Sequence, residues 1–514
     1  MRQLRSPVLR AMGFGVLLGA AAPAAGQPRP LDLVPMGEAR ALPERVLGAS
    51  AEPFWDNFIQ DPSKGAAVKS LHLAYTRFPG GSQSNYYDWK RGLFALDPGG
   101  SHSSYYERFL TLANFVARKF PEGISLEQYK RFSDGIGASL IMVPNLETAT
   151  VADQVKWFEH LAARSAVATH IELGNELWVA MGQDPAVLRH WPDEPTAERT
   201  ARRYLAAIRP HLPKGAKVAW QATAPGFRGE PGRHSAILER LRQWNDDLRP
   251  GPWFDAVTLH LYPRLNQVIG RGAAEQPLTR QIAVRNLRAL LARIDEGADQ
   301  ELNAVARRVP GKEIWITEWN PAGGEGAGSA ERVETTSPAM LAHLFTRGTL
   351  TFLRHPQVTV ALFFSIRVAP DKPKSMFVEG RGALEPMPVA MAMRWLNDAA
   401  NGGVSFQRYV EAGNPRLPGK GVRNETYGAV EAALFRRKGR ATLVIQNVSD
   451  EARVWRIKPD LKLGAPSLVE RLELPDLTDS IPRAARVEAV SVSATLAVRI
   501  PPYSLTRLIW NSRY

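Results

Sequence analysis

Eight short apolar runs alternate with longer stretches of helical period along this 514-residue chain, and that rhythm constrains the fold more than any other feature. The runs fall at about 45–51, 71–78, 139–145, 169–174, 217–223, 254–262, 313–318 and 358–366, each closed by a polar or glycine-bearing turn. Helical stretches lie between them, at 105–119, 151–164, 197–208, 233–245, 278–293 and 337–353. Strands separated by helices pair in parallel through crossovers. Eight such units predict a closed (β/α)8 TIM barrel in preference to an open doubly wound sheet.

Beyond Trp395 the rhythm changes. The stretches "YGAVEAALFRR", "RATLVIQNVS", "ARVWRIK" and "SLTRLIWN" read as short strands divided by turns, the pattern of an antiparallel β-sandwich. The segment "RPLDLVPMGEARAL", ahead of the first barrel run, is expected to add a strand to it. Two units suit a chain longer than a single core usually sustains. The predicted organisation is a catalytic barrel at 44–398 and a sandwich built from 27–43 together with 399–514.

The first 26 residues carry Arg2, Arg5 and Arg10, then an apolar stretch at about 11–22, then the small residues around Ala22-Pro23-Ala24. That order is the one found in secretory signal peptides, and the apolar stretch is too short to span a bilayer. The expectation is an exported protein, in a bacterial periplasm or outside the cell, with no stable membrane insertion. The chain has no cysteine, which excludes disulfides, thiolate metal sites and a cysteine nucleophile. Its formal net charge is +14, with arginine in excess of lysine. No dense basic run interleaved with aromatics marks a nucleic-acid footprint, so nucleic acid is not an expected partner. The positive excess favours an anionic polymer instead.

In a barrel of this kind the working surface is the carboxyl end of the strands. The residues there are Arg77 with "FPGGSQSNYYDW", Asn145, Asn175 with Glu176, Gln221, His260 with Tyr262, and Glu318 with Trp319 and Asn320. The set is acidic, amidic and aromatic. It contains no nucleophilic serine motif, phosphate-cradling loop or H-E-x-x-H spacing, and it calls for no metal or cofactor. Glu176 and Glu318, on the fourth and seventh runs, would face each other across one mouth. Paired carboxylates beside aromatic platforms are what cleavage of a glycosidic bond requires, one serving as acid and the other as nucleophile or base. Trp178 and the loop residues Tyr86, Tyr87, Asp88 and Trp89 are candidates for sugar recognition by stacking and hydrogen bonding. Alternation also puts Glu172 on the same strand face as Glu176, where it would be a structural partner for Arg77. The glycine-rich stretch "NPAGGEGAGSAERVETTS" after Glu318 is expected to form a loop over the site.

The segments "ELGNELW", "TLHLYP" and "IWITEWN", in that order on runs four, six and seven, resemble the signature of clan A retaining glycoside hydrolases. "RFPGGSQSNYYDW" is similar to the second-strand segment of the arabinofuranosidase/β-xylosidase and heparanase-like β-glucuronidase branches, and "IPPYSLTRLIW" resembles the end of their C-terminal domain. The resemblance implies Glu176 as general acid/base, Asn175 as ligand of the sugar hydroxyl beside the anomeric centre, and Glu318 as nucleophile. It further implies that Arg77 and Tyr262 hold Glu318 ionised and oriented, and that His260 lines the site. One departure stands out: the family's strand-eight tryptophan is replaced here by Phe363, Phe364 and Ser365 in "VALFFSIRV".

The function expected from the sequence is an exported retaining glycoside hydrolase of a polysaccharide or oligosaccharide, with an acidic, uronic-acid-containing glycan favoured by the net charge. A neutral arabinose- or xylose-containing glycan is the alternative substrate. A non-catalytic carbohydrate-binding barrel and a uronate lyase are the alternative functions. The barrel need not keep both glutamates, and the lyase needs a Tyr/His or Lys base instead of opposed carboxylates.

Overall fold

The computed structural model describes residues 28–511 apart from 95–103, 180–189, 228–235, 271–275, 277, 322–336, 369–374, 414, 422–423, 458–462, 475, 480, 482 and 491–496. The expected leader and nearly all of the glycine-rich loop expected after Glu318 therefore lie outside the described residues. Within them, no helix is long and apolar enough to cross a membrane.

All eight expected strands are present: β1 (Leu47–Ala51), β2 (Tyr75–Phe78), β3 (Ser139–Met142), β4 (His170–Glu172), β5 (Lys217–Gln221), β6 (Ala256–Leu261), β7 (Glu313–Trp319) and β8 (Val358–Ile366). They form one sheet in which every adjacent pair from β2 round to β8, and β8 with β1, is parallel. The ring closes between β1 and β2 through a 2.9 Å hydrogen bond from Ala74 N to Leu47 O. Gly48 permits that approach, since a Cβ there would stand 2.3 Å from Tyr75 O. Tyr75, Ile141, Ala219, Trp315 and Leu362 form a buried cluster inside the barrel. A much larger cluster joins the outward side chains of the strands to the helices, as two-sided burial of a parallel sheet demands.

The helices sit where the periodicity places them, and their starts follow capping chemistry. Thr150, Thr279 and Ser337 each accept a hydrogen bond from a backbone N–H of the first turn. The stretch expected at 278–293 continues further than its pattern indicates, through a π turn at Arg293–Gly297 into a second helix, Ala298–Arg308. Helices Leu126–Gly135 and Pro388–Ala400 were not anticipated, although Ser125 and Gln128 form a capping box at the first of them.

The C-terminal region forms a seven-stranded antiparallel sheet over a three-stranded one. The segment ahead of β1 contributes to both. Leu33–Ala41 pairs with Ser405–Glu411 in the larger sheet, and Arg29–Leu31 pairs with Arg453–Arg456 in the smaller. A buried ionic cluster seats this layer on the barrel. Asp295, at the π turn, is bound by Arg347 at 3.2 Å and by Arg354, and it accepts a 3.1 Å hydrogen bond from Gly428 N on the sandwich side. Arg347 in turn donates to Gln446 Oε1 at 2.8 Å and to Gly428 O at 3.0 Å.

Candidate active site

Arg77 is the hub of the barrel mouth. Alternation along β2 turns it inward with Tyr75, and its side chain is fully buried. Nε and Nη2 donate to the two oxygens of Glu172 at 2.7 and 2.9 Å, and Nη2 also donates to Asn175 Oδ1 at 2.8 Å. Nη1 donates to Glu318 Oε1 at 2.6 Å. The guanidinium is thus both the structural partner of Glu172 and the group that orients Glu318.

Glu318 reaches the mouth through a bulge. Between β6 and β7 the register advances from Thr258 to His260 on one strand and from Trp315 to Glu318 on the other, so β7 carries one extra residue. Trp315 consequently points inward, while Thr317 and Glu318 both present oxygens to the site. Tyr262 donates its hydroxyl proton to Glu318 Oε2. Gly81 lies against the same carboxylate, since a Cβ there would stand 3.0 Å from Glu318 Oε1 and 3.1 Å from the Phe364 ring.

Glu176 sits one turn beyond β4 in the left-handed region, at φ 46, with Gly174 at φ 73. His260 Nδ1 lies 2.9 Å from Glu176 Oε1 and 3.7 Å from Glu318 Oε2, so the imidazole stands between the two glutamates. Its Nε2 is 3.1 Å from Thr317 Oγ1, which donates to Glu172 Oε1 at 3.1 Å. One oxygen of Glu176, one oxygen of Glu318 and a ring nitrogen of His260 lie within 4.8 Å of one another.

The charges support one another. Burial works against the charge on Arg77, but the carboxylates of Glu172 and Glu318 outweigh it and raise its pKa further. Burial would raise Glu172, yet Arg77 and then His260 hold it below the ordinary carboxylate value. His260 is likewise opposed by burial, but Glu318, Glu172 and Glu176 push it up to about 9. The Glu176–His260–Glu318 triad has the spacing of a metal site, although Glu318 is already paired with the Arg77 guanidinium at 2.6 Å.

Six of the eleven site residues expected from sequence meet at the mouth: Arg77, Asn175, Glu176, His260, Tyr262 and Glu318. The other five are engaged elsewhere. Trp319 follows Glu318 and so points outward, against Phe345, Phe352 and Phe363. Trp178 is buried and belongs to the large core cluster. Tyr87 is buried with its hydroxyl on Ile124 O, and Trp89 donates to Asp153. Asn145 closes its own turn, accepting from Glu147 N and Thr148 N and donating to Thr148 Oγ1. At the end of β8, Phe364 faces Tyr262 edge-on at 6.2 Å and packs with Glu318 around Gly81.

No family model matches the sequence, and no curated protein does either. Solved structures do. A family 51 alpha-L-arabinofuranosidase from Bifidobacterium longum superposes with a TM-score of 0.64 at 13% identity, over 94% of this chain and 98% of that one. The GH51 arabinofuranosidase from Xanthomonas axonopodis pv. citri gives 0.60 at 13% identity, over 92% and 97%. A 4-O-alpha-L-rhamnosyl-beta-D-glucuronidase from Fusarium oxysporum 12S gives 0.55 at 13% identity, over 93% and 99%. The fold is theirs. The likeness covers the whole barrel-and-sandwich architecture, and what this chain's own residues do is argued from their geometry.

Three buried residues of the mouth were not singled out from sequence. Glu52, directly after β1, accepts from Gln83 Nε2 at 2.8 Å. Burial raises its pKa, Gln83 opposes this, and Glu318 adds to it. The rule that selects acids at strand ends would have selected it. Asn85 contacts the Asn175 backbone, and Thr317 bridges Glu172 and His260. Asn85 lies in a short 3-10 turn, and a bulge turns Thr317 inward, so neither has a periodic signal.

Proposed function

We propose that this chain is a retaining glycoside hydrolase in which Glu318 is the nucleophile and Glu176 the general acid/base. The observation that carries the reading is the approach of one oxygen of Glu176 and one of Glu318 to within 4.8 Å, at the carboxyl ends of β4 and β7. Retaining enzymes hold their carboxyl groups about 5–5.5 Å apart and inverting enzymes about 6.5–9.5 Å apart, and so close an approach of the nearest oxygens favours the retaining arrangement.

In the first step a Glu318 oxygen bonds to the anomeric carbon as the bond to the leaving oxygen breaks, and Glu176 delivers its proton to that oxygen. In the second, Glu176 takes a proton from water, the water oxygen bonds to the anomeric carbon, and Glu318 departs. Arg77 and Tyr262 keep the attacking oxygens aimed. His260 supplies positive charge beside both glutamates, and Asn175, anchored by Arg77, offers its amide to the sugar.

The substrate we favour is a uronic-acid-containing glycan, a reading supported by the net charge of +14. The second reading is an arabinofuranosyl glycan, favoured by the names of the two arabinofuranosidases that share the fold. We also propose export, on the strength of the leader-like first 26 residues.

The test is hydrolysis of aryl β-D-glucuronides, α-L-arabinofuranosides and β-D-xylosides, and of acidic polysaccharides, with proton NMR of the first-formed sugar. Hydrolysis with the anomeric configuration kept, and lost in Glu318→Gln, is expected. Inversion would overturn the mechanism, and a folded but inert protein that still binds glycans would favour the non-catalytic barrel.

A further inference from the structure

Resting on that reading, we infer that Asn85 and Gln221 are positioning residues: two buried side-chain amides clamp the turn that carries Glu176 and fix where its carboxyl points. Glu176 is not glycine, yet its backbone lies in the left-handed region, a conformation that L side chains disfavour and that persists where neighbours enforce it.

The enforcing contacts come from both sides. From the end of β5, Gln221 Nε2 donates to Leu173 O and its Oε1 accepts from Leu177 N, both at 2.8 Å, so one side chain bridges the turn from entry to exit. From the 3-10 turn Ser82–Tyr86, Asn85 Oδ1 accepts from Asn175 N at 3.3 Å while its Nδ2 donates to Asn175 O at 3.0 Å. Both amides are essentially inaccessible to solvent. Gly174 leaves room for the bridge, since a Cβ there would stand 3.2 Å from Gln221 Nε2. Leu173 O, Asn175 N, Asn175 O and Leu177 N are thereby satisfied by side chains where the β4 ladder has ended. Buried backbone groups need such partners, and here they come in the one geometry that keeps Glu176 aimed at His260 and across from Glu318.

The test is a leaving-group series. The aryl glycoside that wild type cleaves is prepared with a 2,4-dinitrophenyl group, which departs with little protonation, and with an unsubstituted phenyl group, which needs the acid. For Asn85→Ala and Gln221→Ala, kcat/KM on the phenyl glycoside is expected to fall roughly 10- to 100-fold, and on the dinitrophenyl glycoside by less than about threefold, since proton transfer by a placed group contributes 10²–10⁴. Gln221→Glu, which keeps the acceptor for Leu177 N and loses the donor to Leu173 O, should fall between. Equal losses on both substrates would mean a merely structural role and would overturn the clamp. If wild type cleaves no glycoside, the proposed function fails on its own. The clamp is then decided by crystal structures of the two alanine variants: Glu176 leaving positive φ supports it, and Glu176 unmoved overturns it.

Discussion

Arg77 Nη1 stands 2.6 Å from Glu318 Oε1 while the rest of the same guanidinium is committed to Glu172 and Asn175. One planar cation therefore sets the spacing of residues from β2, β4 and β7. Lysine, a point charge without the fork, cannot satisfy all three. Arg77→Lys is expected to lower kcat by about 100-fold, the scale of a small misplacement of reacting groups, in protein that still shows a cooperative thermal transition. Near-wild-type kcat would show that Glu318 is oriented by other contacts.

Gly81 packs against Glu318 and Phe364, so alanine there brings a methyl group against both side chains. Its Cβ would stand 3.0 Å from Glu318 Oε1. Gly81→Ala should lower kcat/KM by about tenfold or more, because the carboxylate must give way. A variant as active as wild type would show that this wall of the site yields.

The His260 pKa, raised to about 9 in the folded protein against an unfolded value of 6.5, makes stability depend on pH. A raised pKa means that the folded state binds the proton more tightly. The contribution is fully present below about 6.5 and is lost as pH rises through about 9. Urea denaturation of wild type and His260→Asn from pH 6 to 10 should show the wild-type advantage shrinking by on the order of 3 kcal/mol across that window. A constant difference would mean that His260 titrates at the same pH folded and unfolded.

Asp295 behaves in the opposite sense. Burial opposes its charge, but Arg354, Arg347 and Arg416 hold its pKa well below the ordinary carboxylate value. Its stabilisation is present above the unfolded pKa near 4 and is lost as pH falls below it. Asp295→Asn should cost about 3–5 kcal/mol at neutral pH, because three arginines lose their buried partner, and the cost should shrink in acid. Denaturant midpoints at pH 7 and pH 3.5 check both statements.

Much of this was legible in the sequence because strand and helix periods and strand-end chemistry are local. The eight strands follow from apolar runs, and Glu176 and Glu318 from the rule that barrel chemistry gathers at carboxyl ends. Aromatic residues were harder to place. Trp319 follows a catalytic candidate in sequence and for that reason faces away from it, while Tyr87 and Trp89 pack beneath the rim where loop composition alone suggested sugar contacts. Thr317 and Asn85 depend on a bulge and on a contact between distant loops, neither of which leaves a period to read. The strand-eight substitution was visible, but only the fold shows Phe364 beside Glu318.

The most direct measurement is azide rescue of Glu318→Ala on the aryl glycoside that wild type cleaves. With the nucleophile removed, azide enters the space it leaves and attacks the anomeric carbon directly. The account predicts restored turnover and a glycosyl azide of configuration opposite to the substrate. No rescue in Glu318→Ala, together with rescue in Glu176→Ala that yields an azide of that same inverted configuration, would exchange the two roles and contradict the assignment.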